Sequence, residues 1–122
     1  MSLIPSLKCR NMAEAIAFYT RILDFEPGWT APESGDPAYG MVTRNGDELH
    51  LSSHRGGGNF GQTVVVLVDD IDARWAAFRA RGLAVPDRPE SPVHMGPLDQ
   101  TWGTREFYID DPSGNTLCFM QR

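Results

Sequence analysis

Hydrophobic spacing divides the first half of the chain into one strand, one helix and three more strands. Residues 3–10 predict a short strand, and apolar residues at helical spacing predict a helix over about 12–23. Asn11 is a typical N-cap for this helix, and Glu14, three residues later, completes the sequence of a capping box. Three more strands follow, the last two joined by the hairpin sequence Asn45-Gly46: 25–31, 38–44 and 48–54.

The same order of elements returns after 56–58, a glycine run with the composition of a linker. A β-rich run at 62–68 precedes Asp70, which we predict caps a helix that ends at Gly82. The remaining predicted strands, with a turn at Asp111-Pro112-Ser113-Gly114 in the final hairpin, lie at 83–85, 105–110 and 115–121.

The two halves correspond in residue type. Asn11-Met12 corresponds to Asp70-Ile71 at an offset of 59, and Leu49-His50-Leu51 corresponds to Leu117-Cys118-Phe119 at an offset of 68. The nine additional residues fall in 86–104, which contains four of the nine prolines. Because loops longer than about 12–15 residues are usually functional or disordered, we predict that 86–104 is a lid or binding loop.

This pattern predicts an α+β fold of two βαβββ modules in a single domain, 1–122. Module 1 spans about 1–55 and module 2 about 61–122, with the long loop at about 86–104. Each module leaves one apolar sheet face uncovered by its helix, so two modules are expected to pair, within one chain or across a dimer. Their curved mixed sheets then form a cleft, which is the default ligand site.

Composition and charge exclude several classes of function. The net charge of −5 argues against a general nucleic-acid binder and mildly favours a cationic partner. No apolar run approaches the ~20 residues of a membrane span, and the N-terminal residues do not resemble a signal peptide. We therefore expect a cytoplasmic protein without a membrane partner. The two cysteines form neither a disulfide framework nor a CxxC metal site.

Three motifs occur in a fixed order along nearly the whole chain. They are Asn11-Met12-x3-Ile16-x-Phe18-Tyr19-x3-Leu23-Asp24-Phe25, then Val68-Asp69-Asp70-Ile71-Asp72-Ala73, and finally Trp102-Gly103-x-Arg105-Glu106-Phe107 followed by Asp111-Pro112-Ser113-Gly114-Asn115. In these motifs the chain resembles the vicinal oxygen chelate superfamily of glyoxalases, bleomycin-resistance proteins and dioxygenases. The last motif, with Leu49-His50-Leu51-Ser52, resembles the bleomycin-resistance branch most. That resemblance implies the glyoxalase/bleomycin-resistance fold and a metal-free homodimer that sequesters a cationic drug in clefts at its interface.

The resemblance also assigns the four strand positions at which the superfamily's enzymes hold a metal. These positions are occupied by Ile4, His50, Thr63 and Cys118. Divalent catalytic metals require about three protein ligands, with imidazole or carboxylate donors. Isoleucine is not a ligand and threonine is a poor one, so the set supplies two usable donors. We predict no metal, no cofactor and no catalytic residue.

Strand alternation separates the cleft-facing side chains from those of the core, because residues two apart on a strand share a face. The neighbours that face the cleft are Ser6, Lys8, Glu48, Ser52, His54, Val65, Leu67, Thr116 and Met120. The core set is Leu7, Cys9, Leu49, Leu51, Leu117 and Phe119.

Aromatic residues outside the helices can stack on planar or cationic groups. These are Trp29, Tyr39, Phe60 and Trp102. Trp75 and Phe78, at helical spacing, are assigned to the core, and His54 and His94 to solvent. The predicted ligand-binding residues are His50, Ser52, Thr63, Trp102, Tyr39, Cys118 and Phe60.

Three functions remain open from the sequence. The first is a metal-free protein that binds a small amphipathic or cationic molecule, such as an antibiotic, without altering it. The second is an enzyme, either a metal-dependent glyoxalase or dioxygenase type with an unusual ligand set or a metal-free type with His50 as general base. The third is an interaction module that uses the proline-rich loop. The incomplete ligand set and the acidic charge favour the first.

Overall fold

The computed structural model describes residues 1–56 and 58–122, which form two compact units. The first comprises Met1–Gln62 with Asp111–Asn115, and the second Thr63–Asp110 with Thr116–Arg122. Each unit contains a four-stranded mixed sheet and an α-helix. The predicted α+β fold of two βαβββ modules is therefore confirmed. Gly57, within the predicted glycine linker, lies outside the described residues.

The first unit follows the predicted order of strand, helix and three strands. Its sheet has the order β1-β4-β3-β2, with β1 parallel to β4 and the other neighbours antiparallel. Asn11 caps the helix as predicted, because its Oδ1 accepts from the backbone N of Glu14 at 2.7 Å. The elements are β1 (Ser6–Lys8), α1 (Met12–Ala17), a π-helical turn (Phe18–Ile22), β2 (Glu26–Ala31), β3 (Tyr39–Arg44) and β4 (Asp47–Ser52).

The first helix differs from the prediction in two details. The carboxylate of Glu14 does not complete the capping box, because it accepts from Nε of Arg10 at 2.8 Å instead. The second half of the predicted helix widens into the π-helical turn Phe18–Ile22. There the hydroxyl of Thr20 donates to the carbonyl of Ile16 at 2.7 Å, a bond that competes with the regular helical ladder.

The second unit repeats this order of elements, but the strand at one edge of its sheet, β6, is only two residues long. Its sheet has the order β5-β8-β7-β6, with β5 parallel to β8. Asp70 caps its helix as predicted, with Oδ1 accepting from the backbone N of Ala73 at 3.1 Å. The elements are β5 (Thr63–Leu67), α2 (Ile71–Ala80), a 3-10 turn (Pro92–His94), β6 (Leu98–Asp99), β7 (Arg105–Asp110) and β8 (Thr116–Gln121).

The predicted strand over 83–85 is wrong, and the end of α2 explains why. The backbone N of Leu83 donates to the carbonyl of Phe78 at 3.0 Å, and Gly82 adopts a φ of 103°. Together these features close the helix with a Schellman motif. The N–H of Leu83 is therefore used by the helix cap and not by a sheet. The edge strand is Leu98–Asp99, inside the segment predicted as a loop.

The predicted core residues on the strands are confirmed. All six are buried on the helix-facing sides of the two sheets: Leu7, Cys9, Leu49, Leu51, Leu117 and Phe119. Phe78 is also buried, and the half-buried Trp75 packs edge-on against Phe107 at a centroid distance of 4.9 Å. Within residues 1–56 and 58–122, no helix has the length and apolarity to cross a membrane.

Candidate functional site

His50 lies at the centre of a hydrogen-bonded group on the first sheet, on the face opposite Leu49 and Leu51. Its Nδ1 lies 2.7 Å from the hydroxyl oxygen of Tyr39, and its Nε2 lies 2.9 Å from Oε1 of Glu48. Because a carboxylate only accepts, the network assigns the ring proton to Nε2. Nδ1 then accepts from the phenol, so the imidazole has one fixed tautomer and orientation.

Trp29 on β2 adds an exposed ring to this group. Its ring centroid lies 5.8 Å from that of Tyr39, with the planes inclined by 23°, and 6.3 Å from that of His50. Trp29 is 51% exposed to solvent. An indole held in this way offers a flat apolar surface to a planar or cationic ligand. The predicted ligand-binding set did not include Trp29, although the sequence identified it as an aromatic residue outside the helices.

Ser52 and Phe60, two other predicted ligand residues, lie in the first unit outside this group. Ser52 is the register partner of Tyr39, but it is buried, and its Oγ accepts from the backbone N of His54 at 3.3 Å. Phe60 is half exposed, with Nζ of Lys8 at 5.3 Å from its ring centroid. A ligand role for either residue stays a prediction.

The uncovered face of the second sheet presents an apolar surface. Val65 and Leu67 are each more than half exposed. Val65 pairs with Cys118, and Cys118 pairs with Tyr108, so these three side chains form one row across the sheet. Thr63, at the exposed start of β5, belongs to the next row. The structure thus brings Thr63 and Cys118 to one face, as predicted from alternation, and adds Tyr108.

A buried carboxylate, that of Glu106, lies beside this row. Glu106 is 2% exposed, and its two oxygens accept hydrogen bonds from four side chains. Burial raises the pKa of Glu106, but the hydrogen bonds outweigh burial and hold that pKa below its usual range. The donors are the hydroxyl of Thr104, the indole N–H of Trp102 at 3.1 Å, the hydroxyl of Tyr108 at 3.2 Å and Sγ of Cys118 at 3.4 Å.

Both cysteines are free and buried thiols. Burial, and for Cys118 also the carboxylate of Glu106, raises the pKa of each thiol to about 11. Each is therefore protonated near neutral pH, whereas the nucleophilic form of cysteine is the thiolate. Cys118 acts here as a hydrogen-bond donor to Glu106.

The prediction that His94 faces solvent is wrong, since the residue is 8% exposed. Its Nδ1 lies 2.7 Å from Oγ of Ser91, and its Nε2 lies 2.9 Å from Oδ1 of Asp110. The 3-10 turn turns the imidazole onto β7, where it also contacts the ring of Tyr108 edge-on. His94 thus attaches the 3-10 turn to the sheet. His54 is exposed, as predicted.

The residues that the resemblance assigns to the metal positions do not fit a divalent metal. In the strand register, His50 pairs with Ser6, two residues beyond Ile4, and Cys118 pairs with Val65, two residues beyond Thr63. Replacing Ile4 by Ser6, or Thr63 by Val65, in the assigned set would therefore add neither an imidazole nor a carboxylate. The part of the chain that the structure describes contains no group of three or more His, Cys, Asp or Glu side chains arranged to hold a metal.

Comparisons with known proteins agree on one family of folds. Residues 6–119 match the model of the Glyoxalase/Bleomycin resistance protein/Dioxygenase superfamily. No curated protein matches the chain.

Several solved structures share the fold at low sequence identity. A bleomycin resistance determinant encoded on transposon Tn5 has a TM-score of 0.77 and 19% identity, over 100% of this chain and 98% of that chain. A bleomycin-binding protein complexed with bleomycin has a TM-score of 0.76 and 19% identity, with the same coverage. A lactoylglutathione lyase from Agrobacterium tumefaciens has a TM-score of 0.72 and 17% identity, over 99% of this chain and 92% of that chain. Proteins described as a resistance determinant, a binding protein and a lyase therefore share this fold.

Proposed function

Because the chain belongs to the Glyoxalase/Bleomycin resistance protein/Dioxygenase superfamily, we propose that it is a metal-free protein that binds a small amphipathic or cationic molecule without altering it. The observation that supports this function best is the exposure of large apolar side chains. These are Trp29 on β2 in the first unit and, in the second, Val65 and Leu67 on β5 and Trp102 in the turn before β7. Exposed apolar surface beside a few oriented polar groups is typical of small-molecule sites.

One acidic group lies near the exposed apolar side chains of each unit. Glu48 lies within the aromatic group of the first unit, and Glu106 lies beside the apolar row of the second. The net charge of −5 acts in the same direction, since it attracts cations from solution. The similarity to a bleomycin-binding protein supports an antibiotic as the ligand. We further propose a homodimer, as the bleomycin-resistance branch implies, and a cytoplasmic location, as the sequence analysis predicts.

The proposed ligand contacts are the residues that the sequence predicts, with Trp29 added. They are His50, Ser52, Thr63, Trp102, Tyr39, Cys118, Phe60 and Trp29. Of these, Trp29 and Trp102 offer the largest exposed ring surfaces. We therefore assign them the main apolar contacts, and we assign Tyr39 and His50 the hydrogen bonds.

The binding test is a calorimetric titration with bleomycin and a panel of planar aromatic antibiotics. We expect saturable binding of at least one compound, and recovery of that compound unaltered by mass spectrometry. Replacing Trp102 by alanine should weaken binding about tenfold, since a stacked ring contributes about 0.5–1.5 kcal/mol. Trp75→Phe, a change in a half-buried ring that packs on Phe107, is the matched control and should retain the affinity. Absence of saturable binding across the panel would contradict the proposed function.

A second candidate function, metal-free acid–base catalysis, is favoured by the Tyr39–His50–Glu48 group. The oriented Nδ1 of His50 can take the phenolic proton of Tyr39 while the phenol oxygen takes a proton from a carbon acid. The products of this step are an enolate and an imidazolium beside the carboxylate of Glu48. General-base catalysis by His50 requires partners that orient its ring and share its proton. The sequence alone did not show that Tyr39 and Glu48 are such partners.

Hydrogen exchange tests this second candidate without knowledge of the natural substrate. Simple α-hydroxyketones such as dihydroxyacetone are incubated with the protein in D2O, and deuteration at the α-carbon is followed by NMR. If the group is catalytic, His50→Ala should slow protein-dependent exchange by about 100-fold or more. Glu48→Gln should slow it less, because it removes the orienting charge only. Equal rates for the native protein and His50→Ala would exclude this function for these substrates.

A further inference from the structure

Glu106 is a buried acidic side chain whose partners in the described structure are all neutral. Its four donors are two hydroxyls, an indole N–H and a thiol. Other carboxylates of the same unit pair with cations, as Asp72 does with Arg105 and Asp110 with Arg88. Burial of a charge is costly unless a cation or several hydrogen bonds compensate it. Here hydrogen bonds compensate the negative charge, and no cation among residues 1–56 and 58–122 pairs with it.

One of the four donors connects this charge to a large exposed surface. The indole N–H of Trp102 donates to Oε2 of Glu106 at 3.1 Å, while 67% of the tryptophan is accessible to solvent. Gly103, with a φ of 98°, allows the turn that follows Trp102, because side-chain-bearing residues rarely adopt that conformation. The indole is therefore fixed at its polar edge and open on its ring.

The carboxylate changes the electrostatics of that ring in two ways. A hydrogen bond to an anion polarises the indole and increases the electron density of its π face, which attracts cations. The charge of the carboxylate also attracts a cation stacked on the ring directly, because Coulomb attraction acts through space. Val65 and Leu67 on the same sheet are uncharged and exposed, so they favour a flat apolar body over a small hydrated ion.

We propose, as an extension of the proposed function, that Glu106 makes the exposed ring of Trp102 selective for planar aromatic cations. Glu106 does not contact the ligand in this scheme; it is a positioning residue that acts through the indole. Selectivity for positive charge, measured apart from affinity for aromatic rings, is therefore the property that this residue controls.

Glu106→Gln is the direct test, because it removes the charge and keeps the shape. The amide oxygen can still accept from Trp102 and Thr104, and the amide N–H can donate to the hydroxyl of Tyr108. Glu90→Gln is the matched control, since Glu90 lies in the same unit, is largely exposed and carries the same charge. The probes are N-methylacridinium and acridine at pH 8, a cation and its uncharged counterpart, titrated by calorimetry.

We expect the native protein and Glu90→Gln to bind the cation at least tenfold more tightly than acridine. Glu106→Gln should reduce that ratio to below about twofold, with acridine binding nearly unchanged, and should shift the indole N–H NMR resonance of Trp102 upfield. If Glu106→Gln does not fold, Trp102→Phe tests the same link, because it keeps a ring but removes the N–H. An unchanged ratio in the folded variant would overturn the inference while leaving the proposed function intact. If neither probe binds the native protein saturably, both the proposed function and the inference fail for planar aromatic ligands.

Discussion

Replacing Asp111 by alanine is expected to lower the free energy of unfolding by about 4 kcal/mol. Asp111 is 6% exposed, and its carboxylate collects four donors of the first unit. Alanine would leave these donors buried without an acceptor, and each unsatisfied donor costs about 1–3 kcal/mol. The donors are the hydroxyl of Tyr19 at 2.8 Å, Nδ2 of Asn115 at 3.0 Å, and the backbone N atoms of Ser113 and Asn115 at 2.9 Å.

Urea unfolding at neutral pH, followed by circular dichroism, measures this loss. Ser113→Ala is the control within the same turn, because its Oγ accepts one exposed bond from the backbone N of Arg10. It should cost less than about 1 kcal/mol. Asp111→Asn keeps one of the two acceptor oxygens, so its loss of unfolding free energy should lie between those of Ser113→Ala and Asp111→Ala. A loss below about 1 kcal/mol for Asp111→Ala would show that the carboxylate does not organise the turn.

Truncating Phe107 to alanine should remove about 4 kcal/mol from the stability of the second unit. Phe107 is fully buried and stacks on Phe119, with the centroids 4.9 Å apart and the planes inclined by 14°. Trp75 and Phe78 pack edge-on against it at 4.9 and 6.1 Å. Alanine would remove these contacts and leave a cavity that rigid rings fill poorly.

The same urea titration, with near-ultraviolet circular dichroism as a second signal, tests the truncation. Phe107→Leu retains most of the volume and should cost less than half as much. The alanine variant should also lose near-ultraviolet intensity, because Trp75 loses the ring that orients it. Similar stabilities for the alanine and leucine variants would show that this aromatic cluster is not tightly packed.

Local signals in the sequence were sufficient for most of the fold. The caps at Asn11 and Asp70 and the two-residue alternation of the strands depend on neighbouring residues alone, and the structure confirms them. The edge strand Leu98–Asp99 was missed, because a two-residue strand has no alternation to detect. The false strand over 83–85 resulted from a run of three apolar residues, the first of which, Leu83, gives its N–H to the helix cap.

The sequence predicts which residues lie on the uncovered sheet faces, but not which hydrogen bonds join them. Alternation places His50 and Cys118 on uncovered faces. It does not show that Tyr39 on β3 forms a hydrogen bond with His50 on the neighbouring strand β4. The environment of Glu106 is similar, since its donors come from a turn, its own strand and β8. His94 was misassigned because its partner Asp110 lies 16 residues further along the chain. These contacts depend on strand register and turn geometry, which residue type alone does not specify.

The turn formed by Asp111–Asn115 has a consequence for the order in which the chain can fold. It belongs to the first compact unit, although the strands on either side belong to the second. Its contact with Tyr19 spans 92 residues of sequence. Domains generally fold from the N-terminus as they are synthesised, and contacts of long sequence separation form slowly. The first unit therefore cannot finish folding while its own residues emerge from the ribosome; it has to wait for most of the second to be translated.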